Sequence, residues 1–125
     1  MSTPHKHHNP GFLKLVDNAK TRVKQIDVDQ YKKMARDQHV LIDTREDHEW
    51  DAGHAVGAIH LSKGIIERDI ESKVPDKAAT LVLYCGGGYR SALVADALQT
   101  MGYKNAISLD GGWRAWNAAG LPVEK

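Results

Sequence analysis

One stretch of the chain concentrates residues able to do chemistry: Tyr84-Cys85-Gly86-Gly87-Gly88-Tyr89-Arg90-Ser91. Cys85 is the single cysteine in 125 residues. The thiolate, not the thiol, is the nucleophile, and it is favoured beside a cation or at a helix N-terminus. Three glycines follow the sulfur, and glycine reaches backbone conformations with φ > 0 that other residues resist. Such a loop can turn several N–H groups inward to form a nest for an anion. A helix beginning at the far end of the loop adds partial positive charge there, and Arg90 adds a full one. The expectation is a Cys85 substantially ionised at neutral pH, with Gly86, Gly87, Gly88, Tyr89 and Arg90 forming the substrate-binding loop. The competing reading, a small buried hydrophobe at a strand end, leaves the clustered glycines and arginine unexplained. The stretch is not a dinucleotide fingerprint, because Ser91 stands where the third glycine would fall. Nor is it a P-loop, because no Gly-Lys-Ser/Thr follows.

The elements that must position this loop are legible on either side. Leu81-Val82-Leu83-Tyr84 reads as a buried strand. Ser91 to Met101 reads as a helix with apolar residues at Leu93, Val94, Ala97, Leu98 and Met101, closed by Gly102. Upstream, Phe12, Leu15, Val16 and Ala19 have helical spacing over Gly11 to Lys20. Val23 to Ile26 reads as a strand, and Asp27 with Gln30 forms a capping box before a helix striped by Val28, Tyr31, Met34 and Ala35. Val40-Leu41-Ile42-Asp43 is a short apolar run suited to a central parallel strand. A helix from Arg45 to about Ala52 follows, then a strand at Ala58 to Leu61 and a helix marked by Ile65, Ile66 and Ile70. Ala106 to Leu109 reads as the last strand, Asp110-Gly111-Gly112 as a turn, and Trp113 to Ala119 as the last helix. This alternation predicts an α/β fold, an open parallel five-stranded sheet with helices on both faces. Ligands of such sheets lie beyond the carboxyl ends of the strands. Asp43, Arg45 and Cys85 all fall there.

Length and charge narrow the function classes. At 125 residues one domain is expected, divided as a disordered His-rich tail over 1–10, an N-terminal helix over 11–22 and the domain proper over 23–125. Seventeen Lys plus Arg against sixteen Asp plus Glu give a net charge of +1, which argues against nucleic acid or an anionic membrane as partner. One cysteine cannot form an internal disulfide or a cysteine zinc site. His5, His7 and His8 lack nearby acidic or thiol ligands, so no metal is expected, and no other cofactor either. No signal-peptide core or membrane span is visible, and a cytoplasmic location is the expectation.

Three motifs in order carry a resemblance to a known family. Asp43-Thr44-Arg45 leads to Glu49-Trp50, Gly53-His54 and Gly57-Ala58. Cys85 to Arg90 forms a six-residue loop. Asp110-Gly111-Gly112-Trp113 is followed by Trp116 and Gly120-Leu121-Pro122. Over about Val23 to Val123 the chain resembles a single-domain rhodanese, similar to thiosulfate sulfurtransferases. Ala55 departs from the family's usual Ile or Val. The resemblance implies that Cys85 attacks the outer sulfur of a donor such as thiosulfate, releases sulfite and holds the sulfur as a persulfide, which cyanide or a thiol then removes. The implied partners are a small-molecule donor and acceptor, with a protein acceptor also open. Arg90 orients the dianionic donor or pairs with a carboxylate such as Asp43. Asp43 and Arg45 are expected to hold the loop by hydrogen bonds and ion pairing, against the plainer reading of a surface salt bridge. Glu49 is read as fixing a helix end, His54 and His60 as structural, Trp113 and Trp116 as packing, and Tyr89 as a specificity element.

Two rival functions remain at this level. A cysteine phosphatase or arsenate reductase also places Cys and Arg around an anion loop, but the tyrosine-phosphatase signature has five residues between them, whereas here four intervene. A non-catalytic persulfide carrier or redox-sensing module is the second rival. With no second cysteine, a Cys85 persulfide needs an acceptor outside the chain.

Overall fold

The computed structural model describes residues 8–125, and the expectations for the tail before His8 lie outside them. In chain order the elements are α1 (Pro10–Lys20), β1 (Lys24–Ile26), α2 (Val28–Lys32), a 3-10 turn (Arg36–Gln38), β2 (Val40–Asp43), α3 (Asp47–Ala52), β3 (His54–Ala55), β4 (Ile59–His60), α4 (Ile66–Lys73), β5 (Leu81–Tyr84), α5 (Tyr89–Thr100), β6 (Ala106–Leu109), α6 (Gly112–Ala118) and β7 (Val123–Glu124). The main sheet has the order β1-β6-β5-β2-β4, and every pairing is parallel. This is the five-stranded parallel sheet that the alternating pattern predicts.

Both faces of the sheet are covered, so successive residues of a central strand enter different cores. In β5, Leu81 and Leu83 pack with Ile66 and Ile70 of α4 and Val94 and Leu98 of α5. Val82 and Tyr84 pack on the other face with Tyr31, Leu109 and Trp116. Each fully buried aliphatic side chain of this kind contributes about 1.5–3 kcal/mol through burial. Helix α1 lies against α5 and buries Val16 and Ala19.

Local chemistry explains the boundaries. The capping box at α2 is present: Asp27 accepts from the Gln30 N–H at 2.8 Å, and Gln30 accepts from the Asp27 N–H at 2.9 Å. α1 begins one residue before the expected start, with Pro10 in the first turn, where its missing N–H costs nothing. α3 starts at Asp47 rather than Arg45, because Glu46 and Glu49 form a second capping box. α5 starts at Tyr89 rather than Ser91, because Gly88 ends the loop in a left-handed conformation. The two-residue antiparallel pair β3–β7 was not expected; two residues show no periodicity in a sequence.

β2 and β5 are adjacent at the point where the strand order turns back on itself, which is the place where parallel sheets bind ligands. A buried polar network ties their ends together there. Asp43 Oδ1 accepts from the Arg45 backbone N–H at 2.9 Å, and Oδ2 accepts from Arg45 Nη2 at 2.8 Å. The Tyr84 hydroxyl donates to Asp43 Oδ2 at 2.7 Å and accepts from the Ala55 N–H at 3.1 Å. Arg45 Nη2 also donates to the Gly53 carbonyl at 2.6 Å, and its guanidinium lies 4.4 Å from the centre of the Trp113 ring. Asp43 and Arg45 are 0% and 3% exposed, so the surface salt bridge reading is corrected: this is a core ion pair. Burial works against the Arg45 charge, but the Asp43 carboxylate outweighs it and raises the guanidinium above its ordinary value.

Removing one partner of a buried pair leaves the other charge uncompensated. Asp43→Asn is therefore expected to lower the unfolding free energy in urea by about 3–5 kcal/mol. Asp69→Asn removes the partner of Arg68, whose side chain is 73% exposed, and should cost far less than Asp43→Asn. Equal costs would contradict the anchoring role.

Candidate active site

The nucleophile sits one residue past β5. Its position is set from β2: Thr44 donates to the Tyr84 carbonyl through both its backbone N–H and its hydroxyl, each at 2.9 Å. Cys85 is 1% exposed and is one of the residues lining a cleft of about 880 Å³. Two backbone N–H groups point at the sulfur, that of Gly88 at 3.2 Å and that of Ser91 at 3.4 Å. The thiol in turn donates to Ser91 Oγ at 3.5 Å. Ser91 Oγ shares a 2.8 Å hydrogen bond with Ser108 Oγ, and both serines are fully buried. The hydroxyl pair was not singled out in sequence; the available signal is Ser108 inside the apolar strand β6.

The loop is held from outside by the start of α6. The Trp113 N–H donates to the Cys85 carbonyl at 2.7 Å, and the Arg114 N–H donates to the Gly86 carbonyl at 3.2 Å. Gly112, at φ +50°, lies so close beneath that an added Cβ would collide with the Cys85 carbonyl. Gly88, at φ +98°, is the one glycine of the three with positive φ. This narrows the expectation that all three exploit that freedom. Gly86 and Gly87 instead leave space for the guanidinium groups of Arg90 and Arg114, which an added Cβ would crowd.

Arg90 does not pair with Asp43, whose two oxygens are occupied by Arg45 and Tyr84. Its partner is Glu49 on α3, with Nη1 to Oε1 at 3.1 Å and Nη2 to Oε2 at 3.3 Å. Glu49 Oε1 also accepts from the Glu46 N–H at 3.0 Å. It thus fixes the helix start, as the sequence suggests, and holds the loop arginine as well. Burial opposes both charges. The mutual bonds prevail, so the Glu49 carboxyl lies below its usual range and the Arg90 guanidinium above its own.

The cleft brings in residues that sequence reasoning missed or misplaced. Arg114 is exposed beside the loop and has no acidic partner among the described residues. Trp113 stands at the cleft wall as well as against Arg45, so it is not packing alone, whereas Trp116 is buried in the core. Tyr89 borders the cleft in contact with His8 and Phe12 of the N-terminal segment. His54 and His60 do not border it. Their rings flank Trp50 at centroid distances of 3.4 and 4.9 Å, and they bond the Trp50 and Arg45 carbonyls. No group of three potential metal ligands occurs among the described residues, and His5 and His7 lie outside them. No helix among the described residues is long and apolar enough to cross a membrane.

A model of the Rhodanese-like domain matches residues 27–119. The chain belongs to the rhodanese-like domain family. Asp43, Arg45, Glu49, the Cys85 loop and Trp113 all fall within the matched region; His8 and Phe12 precede it. The thiosulfate sulfurtransferase GlpE of Vibrio cholerae is 31% identical over 91 residues, covering 73% of this chain and 84% of that protein. The probable adenylyltransferase/sulfurtransferase MoeZ of Mycobacterium tuberculosis is 40% identical over 77 residues, 61% of this chain; the matched region spans only 19% of MoeZ. Among solved structures, a Rhodopseudomonas palustris protein of unknown function, described as a possible tyrosine phosphatase, superposes with a TM-score of 0.76 at 27% identity, covering 98% of this chain and all of that one.

Two outcomes follow from this geometry. Gly112→Ala should destabilise the rhodanese-like fold by at least about 1–3 kcal/mol through backbone strain and change the rate at which a disulfide reagent modifies Cys85. Gly11→Ala, with open space around it, should leave that modification rate unchanged; a silent Gly112→Ala would contradict the clamp. Because Glu49 is more acidic in the fold, its contribution is present above the ordinary glutamate value of about 4.3 and is lost as pH falls through the folded value. The stability difference between the native protein and Glu49→Gln, measured by denaturant unfolding across pH, should shrink in that direction. A difference that grows on acidification contradicts the pairing.

Proposed function

We propose that this chain is a sulfurtransferase that moves a sulfane sulfur from thiosulfate or a related anionic donor to a thiophilic acceptor through a persulfide on Cys85. The observation that carries this is Cys85 lining a cleft with the Gly88 and Ser91 N–H groups directed at its sulfur. Membership of the rhodanese-like family and the likeness to GlpE support it.

In the first step the Cys85 thiolate attacks the outer sulfur of thiosulfate. A bond forms between Sγ and that sulfur, the sulfur–sulfur bond of the donor breaks, and its electron pair leaves on sulfite. Negative charge moves to the new outer sulfur, where N–H donors and the start of α5 stabilise it as an oxyanion hole stabilises an oxyanion. In the second step an acceptor thiolate or cyanide attacks the outer sulfur, and the electron pair of the persulfide bond returns to Cys85 Sγ. Neither step calls for a general base, a metal or another cofactor when the nucleophile is already an anion. Arg90 is tied to Glu49, so the role of meeting the donor's anionic end passes to Arg114, which stands free of acidic partners among the described residues. The same pairing weighs against a cysteine phosphatase, which needs the loop arginine on the phosphate.

The test is mass measurement after mixing with thiosulfate. A gain of one sulfur atom is expected, reversed by cyanide and absent in Cys85→Ser. Arg114→Ala should raise KM for thiosulfate by roughly five- to tenfold, the loss of one charge-assisted contact, with a smaller change in kcat. No gain with thiosulfate or another sulfane donor, or faster turnover of an aryl phosphate, would overturn the assignment.

A further inference from the structure

The segment before the family-matched region builds part of the cleft. His8 and Phe12, the latter on the first turn of α1, both border the cleft that contains Cys85. Their rings meet Tyr89 at centroid distances of 4.6 and 6.2 Å, and meet each other at 5.2 Å. Lys20, one helix length further on, holds its ammonium 5.1 Å from the centre of the Tyr89 ring. Tyr89 thus contacts both a cation and an aromatic pair, and α1 packs on α5. His8 Nε2 is buried without a hydrogen-bonding partner among the described residues, a state that costs free energy until some group approaches it. Arg114 borders the same cleft, near enough to Tyr89 that both would touch a side chain added at Gly87.

We propose that His8 and Phe12, with Tyr89, form an aromatic wall that selects an organic thiol carrying a carboxylate as the sulfur acceptor. The inference rests on the sulfurtransfer reading above. Three observations favour that class over a small inorganic ion. A cleft of about 880 Å³ lies in the range that encloses a drug-sized organic molecule, far more than cyanide or sulfite needs. His8, Phe12 and Tyr89 line it with aromatic rings, which gain by covering the apolar body of a ligand. Arg114 adds a guanidinium with no acidic partner among the described residues, whose planar donors suit a carboxylate. A ligand held by these groups shares the cleft with Cys85, where the persulfide would form. The acceptor thiolate then forms a bond to the outer sulfur while the bond to Cys85 Sγ breaks and its electron pair returns to Sγ.

Glutathione serves as the probe of this class and cyanide as the small reference, both with thiosulfate as donor. In Phe12→Ala and His8→Ala the ratio of kcat/KM for glutathione to that for cyanide should fall by roughly tenfold, about the loss of one aromatic contact, and the change should lie in KM for glutathione. Phe12→Tyr should restore most of the ratio. Leu15→Ala, which removes an exposed α1 side chain (58% exposed), controls for general damage to the helix and should leave the ratio as in the native protein. A ratio unchanged within twofold in both alanine variants, or a fall matched by Leu15→Ala, overturns the wall while leaving sulfurtransfer intact. A native protein that passes sulfur to cyanide but not to glutathione also overturns it. Failure to take sulfur from thiosulfate at all would instead bring down the underlying function.

Discussion

The site depends on where the carbonyl groups around Cys85 point. A peptide cannot turn its N–H toward an anion without turning its carbonyl elsewhere, and a buried carbonyl needs a donor. Here those donors are supplied. Thr44 takes the Tyr84 carbonyl, the Trp113 N–H takes that of Cys85, and the Arg114 N–H takes that of Gly86. These bonds fix the end of β5 and the first residues of the loop, and further along the loop the Gly88 and Ser91 N–H groups face the sulfur. The three sequence motifs are thus one device. The first supplies Thr44, the second the loop, and the third the N–H groups at the start of α6.

Charge is arranged in two layers beneath and above this loop. Below, Asp43 and Arg45 neutralise each other in the core and share their bonds with Tyr84, Ala55 and Gly53. A buried pair of this sort is poor evidence for added stability. Its evident product is position, because it sets the ends of β2 and β5 and the turn at Gly53. Above, Arg90 and Glu49 cancel at the cleft edge. The positive character offered to a ligand then comes from aligned peptides and from Arg114, not from the arginine of the loop.

Much of this was legible in the sequence. Val40–Asp43 and Leu81–Tyr84 are apolar on both faces because both faces are covered, and their parallel pairing follows from the helices between them. The capping box at Asp27 declared itself by residue type and spacing. Cys85 stood out because glycines and a helix start surround it. Partner choice did not show. Asp43 and Glu49 are both carboxylates near the expected loop, and only the fold shows that Asp43 is already taken by Arg45 and Tyr84. The Ser91–Ser108 pair joins α5 to β6 and has no local signature. The role of His8 and Phe12 depends on how α1 lies on α5, which an amphipathic stripe leaves open. Pairs such as β3–β7 are too short to carry a pattern.

If Cys85 carries sulfur as proposed, the loop's peptide groups hold the transferred atom while Arg90 stays bound to Glu49. A crystal structure of the protein after reaction with thiosulfate tests it most directly. The prediction is one added sulfur bonded to Cys85 Sγ, within hydrogen-bonding distance of loop N–H groups, with the Arg90–Glu49 pair unbroken. An unmodified Cys85, or an anion gripped by an Arg90 that has swung away from Glu49, would contradict it.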